Sequence, residues 1–124
     1  IIVGFNILGF DLPKLRAAYV RHRLAMPIML LPEARDAGVE VYDVMKKFLR
    51  SYTTEKHDEW FISLDEVLAR LGFPRYKDAV DGAQVPGMLE AGKVADVLRY
   101  CYLDTVGTYS AFLAMTGSYS DEKD

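Results

Sequence analysis

The sequence predicts a helix-rich α/β domain with one or two strands, on three observations. The chain opens on an apolar, β-branched run, Ile1-Ile2-Val3-Gly4-Phe5, that reads as a buried strand. Val39 to Tyr42 alternates and is β-branched, the pattern of a second short strand. Helical periodicity dominates elsewhere, above all from Val94 to Met115.

Taken in order, Asn6 turns the chain after the first strand. Asp11-Leu12-Pro13 then reads as a helix start, with Asp11 as cap and proline in the first turn. Leu12, Leu15, Ala18, Tyr19 and His22 fall at helical spacing and carry this helix to Arg23. Pro27 and Pro32 bracket a loop around Ile28 to Leu31. A helix over Val44 to Leu49 follows the second strand, then a polar loop over Ser51 to Asp58. Ser63-Leu64-Asp65-Glu66 has the capping-box pattern and opens a helix to Leu71 that Gly72 stops. Asp81-Gly82 marks a turn, Pro86 to Glu90 a short helix, and Gly92 its end. The last helix takes Val94, Val97, Leu98, Cys101, Tyr102, Val106, Tyr109, Phe112 and Leu113 as its apolar positions. Gly107 interrupts it at a cost of about 1 kcal/mol relative to alanine. A polar tail follows, giving a domain over 1–116 and a tail over 117–124.

The composition of the 124 residues, 51% hydrophobic and 27% charged, is that of a globular domain. No apolar run approaches the ~20 residues that cross a bilayer. The lone Cys101 forms no internal disulfide and favours a reducing, cytoplasmic setting. With His22 and His57 far apart, a zinc site is disfavoured. The net charge of −3 argues against a nucleic-acid coat protein but suits a carboxylate metal site, whose bound cations offset the acid.

Two segments carry candidate chemistry. In Gly4-Phe5-Asn6-Ile7-Leu8-Gly9-Phe10-Asp11 a strand ends, the chain turns and an aspartate arrives at a helix start. Judged alone, Asp11 reads as an N-cap. In Tyr100-Cys101-Tyr102-Leu103-Asp104, Tyr100 and Asp104 stand four apart and share one helix face. An aspartate in an apolar helix is costly unless a metal or a basic group partners it. Alone, the pair also fits a surface aspartate beside a half-buried tyrosine. Lys14, Arg16, Arg21 and Arg23 read as a solvated basic face or a phosphate contact, and Trp60 and Phe61 as packing or base-stacking groups.

Asn6 with Phe10-Asp11, followed far downstream by Tyr100-x-x-x-Asp104, resembles the second and third motifs of the DEDDy exonucleases. The likeness is strongest to the predicted 3′–5′ exonucleases related to the proofreading domain of B-family DNA polymerases. It extends to Leu12-Pro13, Ser63 to Glu66, Leu71 to Pro74, Asp81 to Val85, and Arg99 with Thr108-Tyr109. The resemblance implies a ribonuclease H-like α/β fold, of which this chain holds the C-terminal, helix-rich portion. It implies metal-dependent hydrolysis of DNA or RNA from a single-stranded 3′ end, with two Mg²⁺ or Mn²⁺ ions flanking the phosphate. Asp11 and Asp104 would be metal ligands and catalytic, Tyr100 would orient the attacking water, and Asn6 and Phe10 would shape the substrate side. The family's first motif, Asp-x-Glu, is missing from these 124 residues. Cys101-Tyr102 replaces a common Cys-Glu. Asp43 stands where the family also has an aspartate and is read as structural, as is Glu66 as a cap.

Two readings stay open at this point. In one, the chain is the second- and third-motif half of an exonuclease, entered partway through its sheet and inactive alone. In the other, it is a degenerate ribonuclease H-like module for nucleic-acid binding or assembly. An open strand edge at Ile1 to Phe5 invites pairing with a second copy as a homodimer.

Overall fold

The computed structural model describes residues 1–31, 38, 40–53, 61–74 and 82–118. Val39, Trp60, Asp81 and the tail from residue 119 lie outside the described residues. The chain is α/β, helix-rich, with a two-stranded parallel sheet. It divides into two compact units, Ile1–Phe61 and Ile62–Asp124. Among the described residues no helix is long and apolar enough to cross a membrane.

In the first unit, β1 (Ile2–Gly4) pairs in parallel with β2 (Val41–Asp43), in the register Ile2 to Val41, Val3 to Tyr42 and Gly4 to Asp43. Parallel pairing needs a crossover. It is supplied by a π-helical turn (Ile7–Asp11), α1 (Leu12–Arg21) and a 3₁₀ turn (Ile28–Leu30). The Arg16 guanidinium donates to the Leu30 carbonyl and ties the second turn to α1. α2 (Val44–Ser51) follows β2 directly and buries Val44, Met45 and Phe48.

Three local expectations change. Asp11 does not cap α1 with its side chain. The backbone reaches it already helical: the Phe10 amide donates to the Asn6 carbonyl and that of Leu12 to Ile7, so these helix-start amides are already bonded. Of the apolar spacing expected in α1, only Leu12 is fully buried; Leu15 and His22 are exposed. In α3 (Leu64–Arg70), Ser63 Oγ accepts from the Glu66 amide as expected, but the Glu66 carboxylate pairs forward with Arg70 at 2.8 Å.

The second unit is a helical layer. α4 (Val85–Glu90) is led in by a 3₁₀ turn (Gly82–Gln84) and followed by α5 (Val94–Met115). Gly72 ends α3 and Gly92 ends α4, both at positive φ. In each case the next residue's amide reaches back five residues, Phe73 to Leu68 and Lys93 to Met88, closing carbonyls the helix leaves open. α3 and α4 both pack on α5. The buried stripe of α5 is Val97, Gly107, Ala111 and Met115. Leu98, Cys101, Tyr102 and Tyr109, expected on the apolar face, are exposed. Gly107 carries the stripe because a Cβ there would stand 3.0 Å from Leu68 Cδ1 and 3.4 Å from Leu64 Cδ2. The absent side chain lets α3 sit down on α5.

Gly4 is required on similar grounds, and more strictly. A Cβ there would lie 2.5 Å from Ile7 Cδ1 and 2.6 Å from Ile7 Cβ, the latter fixed to the backbone. The turn after β1 folds back onto its own strand at that point. We predict that Gly4→Ala destabilises the protein by about 1–3 kcal/mol, the usual cost of overpacking, measured by urea denaturation. An unchanged midpoint would show that the turn relaxes freely.

Candidate active site

The first unit contributes the segment from Asn6 to Asp11. Asn6 takes the left-handed conformation (φ 52°, ψ 31°), which asparagine tolerates better than most side chains, and its backbone starts the π-helical turn. A Cβ at Gly9 would lie 2.9 Å from Asn6 Oδ1, so the asparagine side chain folds over that glycine. The turn is pinned from β2 by Asp43, which is 2% exposed. One oxygen of its carboxylate accepts from the Asn6 amide at 3.0 Å and the Lys46 amide at 3.3 Å. The other accepts from the Leu8 amide at 3.1 Å. Asp43 thereby caps α2 and holds the loop that leads to Asp11, which agrees with its reading as a structural residue.

Asp11 itself is exposed at the end of the turn. Burial by its surroundings pushes its carboxyl above the ordinary aspartate range; its own amide opposes the shift and the Asp43 charge adds to it. Phe10 beside it is 57% exposed, with the Lys14 ammonium 5.6 Å from its ring centroid. An exposed phenylalanine next to an aspartate is available to a ligand.

The second unit contributes Tyr100 and Asp104. They lie one turn apart on α5, Tyr100 half-buried and Asp104 exposed. Burial pushes the Asp104 carboxyl above the usual range, a hydrogen bond from Tyr100 partly offsets this, and the charge of Asp65 at the start of α3 pushes it further. The Tyr100 hydroxyl also stands beside Gly82, 3.4 Å from where a Cβ would be. Among the described residues Arg70 pairs with Glu66.

The sequence reading thus named Asn6, Phe10, Asp11, Tyr100 and Asp104. Asp11 belongs to the first unit and Tyr100 and Asp104 to the second. The reading missed Asp65, whose place in a capping box hid its nearness to Asp104, and Gly82, which looked like a turn residue only. Among the described residues no three His, Cys, Asp or Glu side chains form a metal-holding group. The donors present are nonetheless of the kind that hard divalent cations take: exposed carboxylates, raised by burial and like charge, that gain from a cation.

A family model described as predicted 3′–5′ exonuclease related to the exonuclease domain of PolB matches residues 1–122. The chain belongs to that family. No curated protein and no solved structure matches it. The match spans both units, so the Asn6–Asp11 turn and the Tyr100–Asp104 pair lie within one family pattern.

The raised carboxyls have a consequence for stability. A group whose pKa is higher folded than unfolded supports the fold below the unfolded value, about 3.9, and loses that contribution as pH rises through the folded value. Asp104 in its charged form therefore weighs against the fold at neutral pH. We predict that Asp104→Asn, which keeps the Tyr100 partner, raises the melting temperature at about pH 7 and leaves it nearly unchanged at about pH 3. A lower melting temperature at neutral pH would mean that the charge is stabilising.

Proposed function

We propose that this chain supplies the second and third motifs of a metal-dependent 3′–5′ exonuclease of the ribonuclease H-like fold. The observation that carries this reading is the Tyr100–Asp104 pair, a tyrosine hydroxyl hydrogen-bonded to a carboxylate one helical turn away, within a family match over residues 1–122. Asp11 and Asp104 would serve as ligands to the divalent ions, Mg²⁺ or Mn²⁺. When bound, such ions activate water and stabilise the leaving oxygen of a phosphodiester. Tyr100 holds a water by its hydroxyl, itself fixed by Asp104. Asn6 sets the turn that presents Asp11, and Phe10 packs on the terminal nucleotide of a DNA or RNA 3′ end. Protons compete for both carboxylates, so metal affinity falls as pH drops.

Two of the family's four carboxylates, those of Asp-x-Glu, are missing from these 124 residues. The chain by itself is therefore inactive. Incubation with a 5′-labelled oligonucleotide and Mg²⁺ or Mn²⁺ is expected to give no shortening from the 3′ end. Robust shortening that Asp104→Ala abolishes would show that another carboxylate completes the site. A form extended by a strand bearing Asp-x-Glu is expected to shorten the same substrate. In that form Tyr100→Phe lowers the rate about a hundredfold through misplaced water, and Asp104→Ala abolishes it. Mn²⁺ binding, followed by electron paramagnetic resonance, is expected to weaken in Asp104→Asn of either form. Unchanged binding and unchanged activity in that variant would overturn the assignment.

A further inference from the structure

α2 is short and strongly amphipathic. Val44, Met45 and Phe48 are buried on one face, which forces Lys46, Lys47 and Arg50 onto the other. These three cations do not spread over a convex surface. They line one side of a cavity of about 410 Å³ within the first unit. Leu8 of the π-helical turn and Val41 of β2 give it apolar wall, and Glu40 lies at it as well.

Lys46, Lys47 and Arg50 against Glu40 and Asp43 leave the lining of this cavity one net positive charge. Of the two carboxylates that border it, that of Asp43 is taken up by the amides of Asn6, Leu8 and Lys46. Among the described residues Lys46, Lys47 and Arg50 make no ion pair; Lys47 Nζ stands 5.6 Å from the Tyr42 ring centroid. Three like charges on a concave wall repel one another and focus positive potential into the space between them. A ligand that relieves this arrangement carries negative charge to the α2 side and an apolar or aromatic surface to Leu8 and Val41. A nucleotide unit has both, and the cavity falls in the ~300–1,000 Å³ range of small-ligand sites. Leu8 lies in the same turn as Asp11, three residues before it.

We infer that this cavity binds a nucleotide unit of a single-stranded nucleic acid, with Lys46, Lys47 and Arg50 on its phosphates and Leu8 and Val41 against its base. The nucleic-acid identity of the ligand rests on the exonuclease reading; the cationic cavity does not. The site lies outside the carboxylates assigned to metal, so it acts without divalent ions.

The test is fluorescence anisotropy with a labelled oligothymidine of about ten nucleotides in the presence of EDTA, across a salt series. The expected result for the unaltered chain is salt-dependent binding. Replacing Lys46, Lys47 and Arg50 together by glutamine is expected to weaken it at least tenfold. It should also lower the slope of log K against log salt by about two, since each single-strand phosphate contact contributes about 0.7. Arg21→Gln with Arg23→Gln, which removes charge from the end of α1, is expected to leave binding near that of the unaltered chain. In case the triple variant fails to fold, amide shifts in the unaltered chain serve instead: Leu8, Lys46, Lys47 and Arg50 should move first on titration with the oligonucleotide. Equal slopes and affinities for the triple variant and the unaltered chain, no binding at low salt, or shifts confined elsewhere would each overturn the inference. Competition by thymidine monophosphate as strong as by the oligonucleotide would assign the cavity to a free nucleotide and overturn the strand placement. Each of these failures leaves the exonuclease reading standing if Mn²⁺ binding still depends on Asp104.

Discussion

The carboxylate of Asp43 is the constraint on which the first unit depends. It stands where β2 ends and α2 begins, opposite Gly4 in the parallel ladder. From there it gathers three backbone amides: Lys46 on its own helix, and Asn6 and Leu8 on the loop after β1. A two-stranded parallel sheet has little cohesion of its own, and a loop that begins with a left-handed asparagine gains nothing from helix propensity. A buried carboxylate with its oxygens engaged supplies what both lack, since charge-assisted bonds to amides are among the stronger ones. The turn that delivers Asp11 is held by a residue on the other strand.

The second unit solves a related problem by packing. α3 approaches α5 closely because Gly107 offers no side chain, and the turn before α4 brings Gly82 beside the Tyr100 hydroxyl. Asp104, exposed on α5, has Tyr100 for a partner and Asp65 as a like charge nearby. Its surroundings disfavour the charged form. Carboxyls perturbed in this way are common at functional sites. The same holds for Asp11, raised by its surroundings and by Asp43. Both carboxyls thus stand above the ordinary aspartate range.

Much of this was legible in the sequence. The strand at Ile2–Gly4, the capping serine at Ser63 and the limits of α5 follow from β-branched runs, cap residues and helical spacing. The Tyr100–Asp104 pair was legible because a four-residue interval is a local property of a helix. What the sequence hid was non-local. Nothing near Asp43 announces that amides more than thirty residues earlier will need it. Asp65 looked like a helix-start acid because the capping pattern explains it fully. The apolar positions of α5 were misjudged because its buried stripe runs through glycine and alanine, Gly107 and Ala111. Leu98, Tyr102 and Tyr109, which carry more hydrophobicity, face outward. Asp11 was expected to cap because a π-helical turn cannot be read from residue types; once the chain is helical from Ile7, the cap has nothing to bind.

Amide hydrogen exchange in the chain and in Asp43→Ala is the most direct measurement on the role of that carboxylate. If Asp43 holds the turn that presents Asp11, the Asn6 and Leu8 amides are protected in the unaltered chain. In Asp43→Ala both lose protection together, while the amides of α5 retain theirs. Fast exchange at Asn6 and Leu8 in the unaltered chain, or protection there that survives the substitution, would contradict the account.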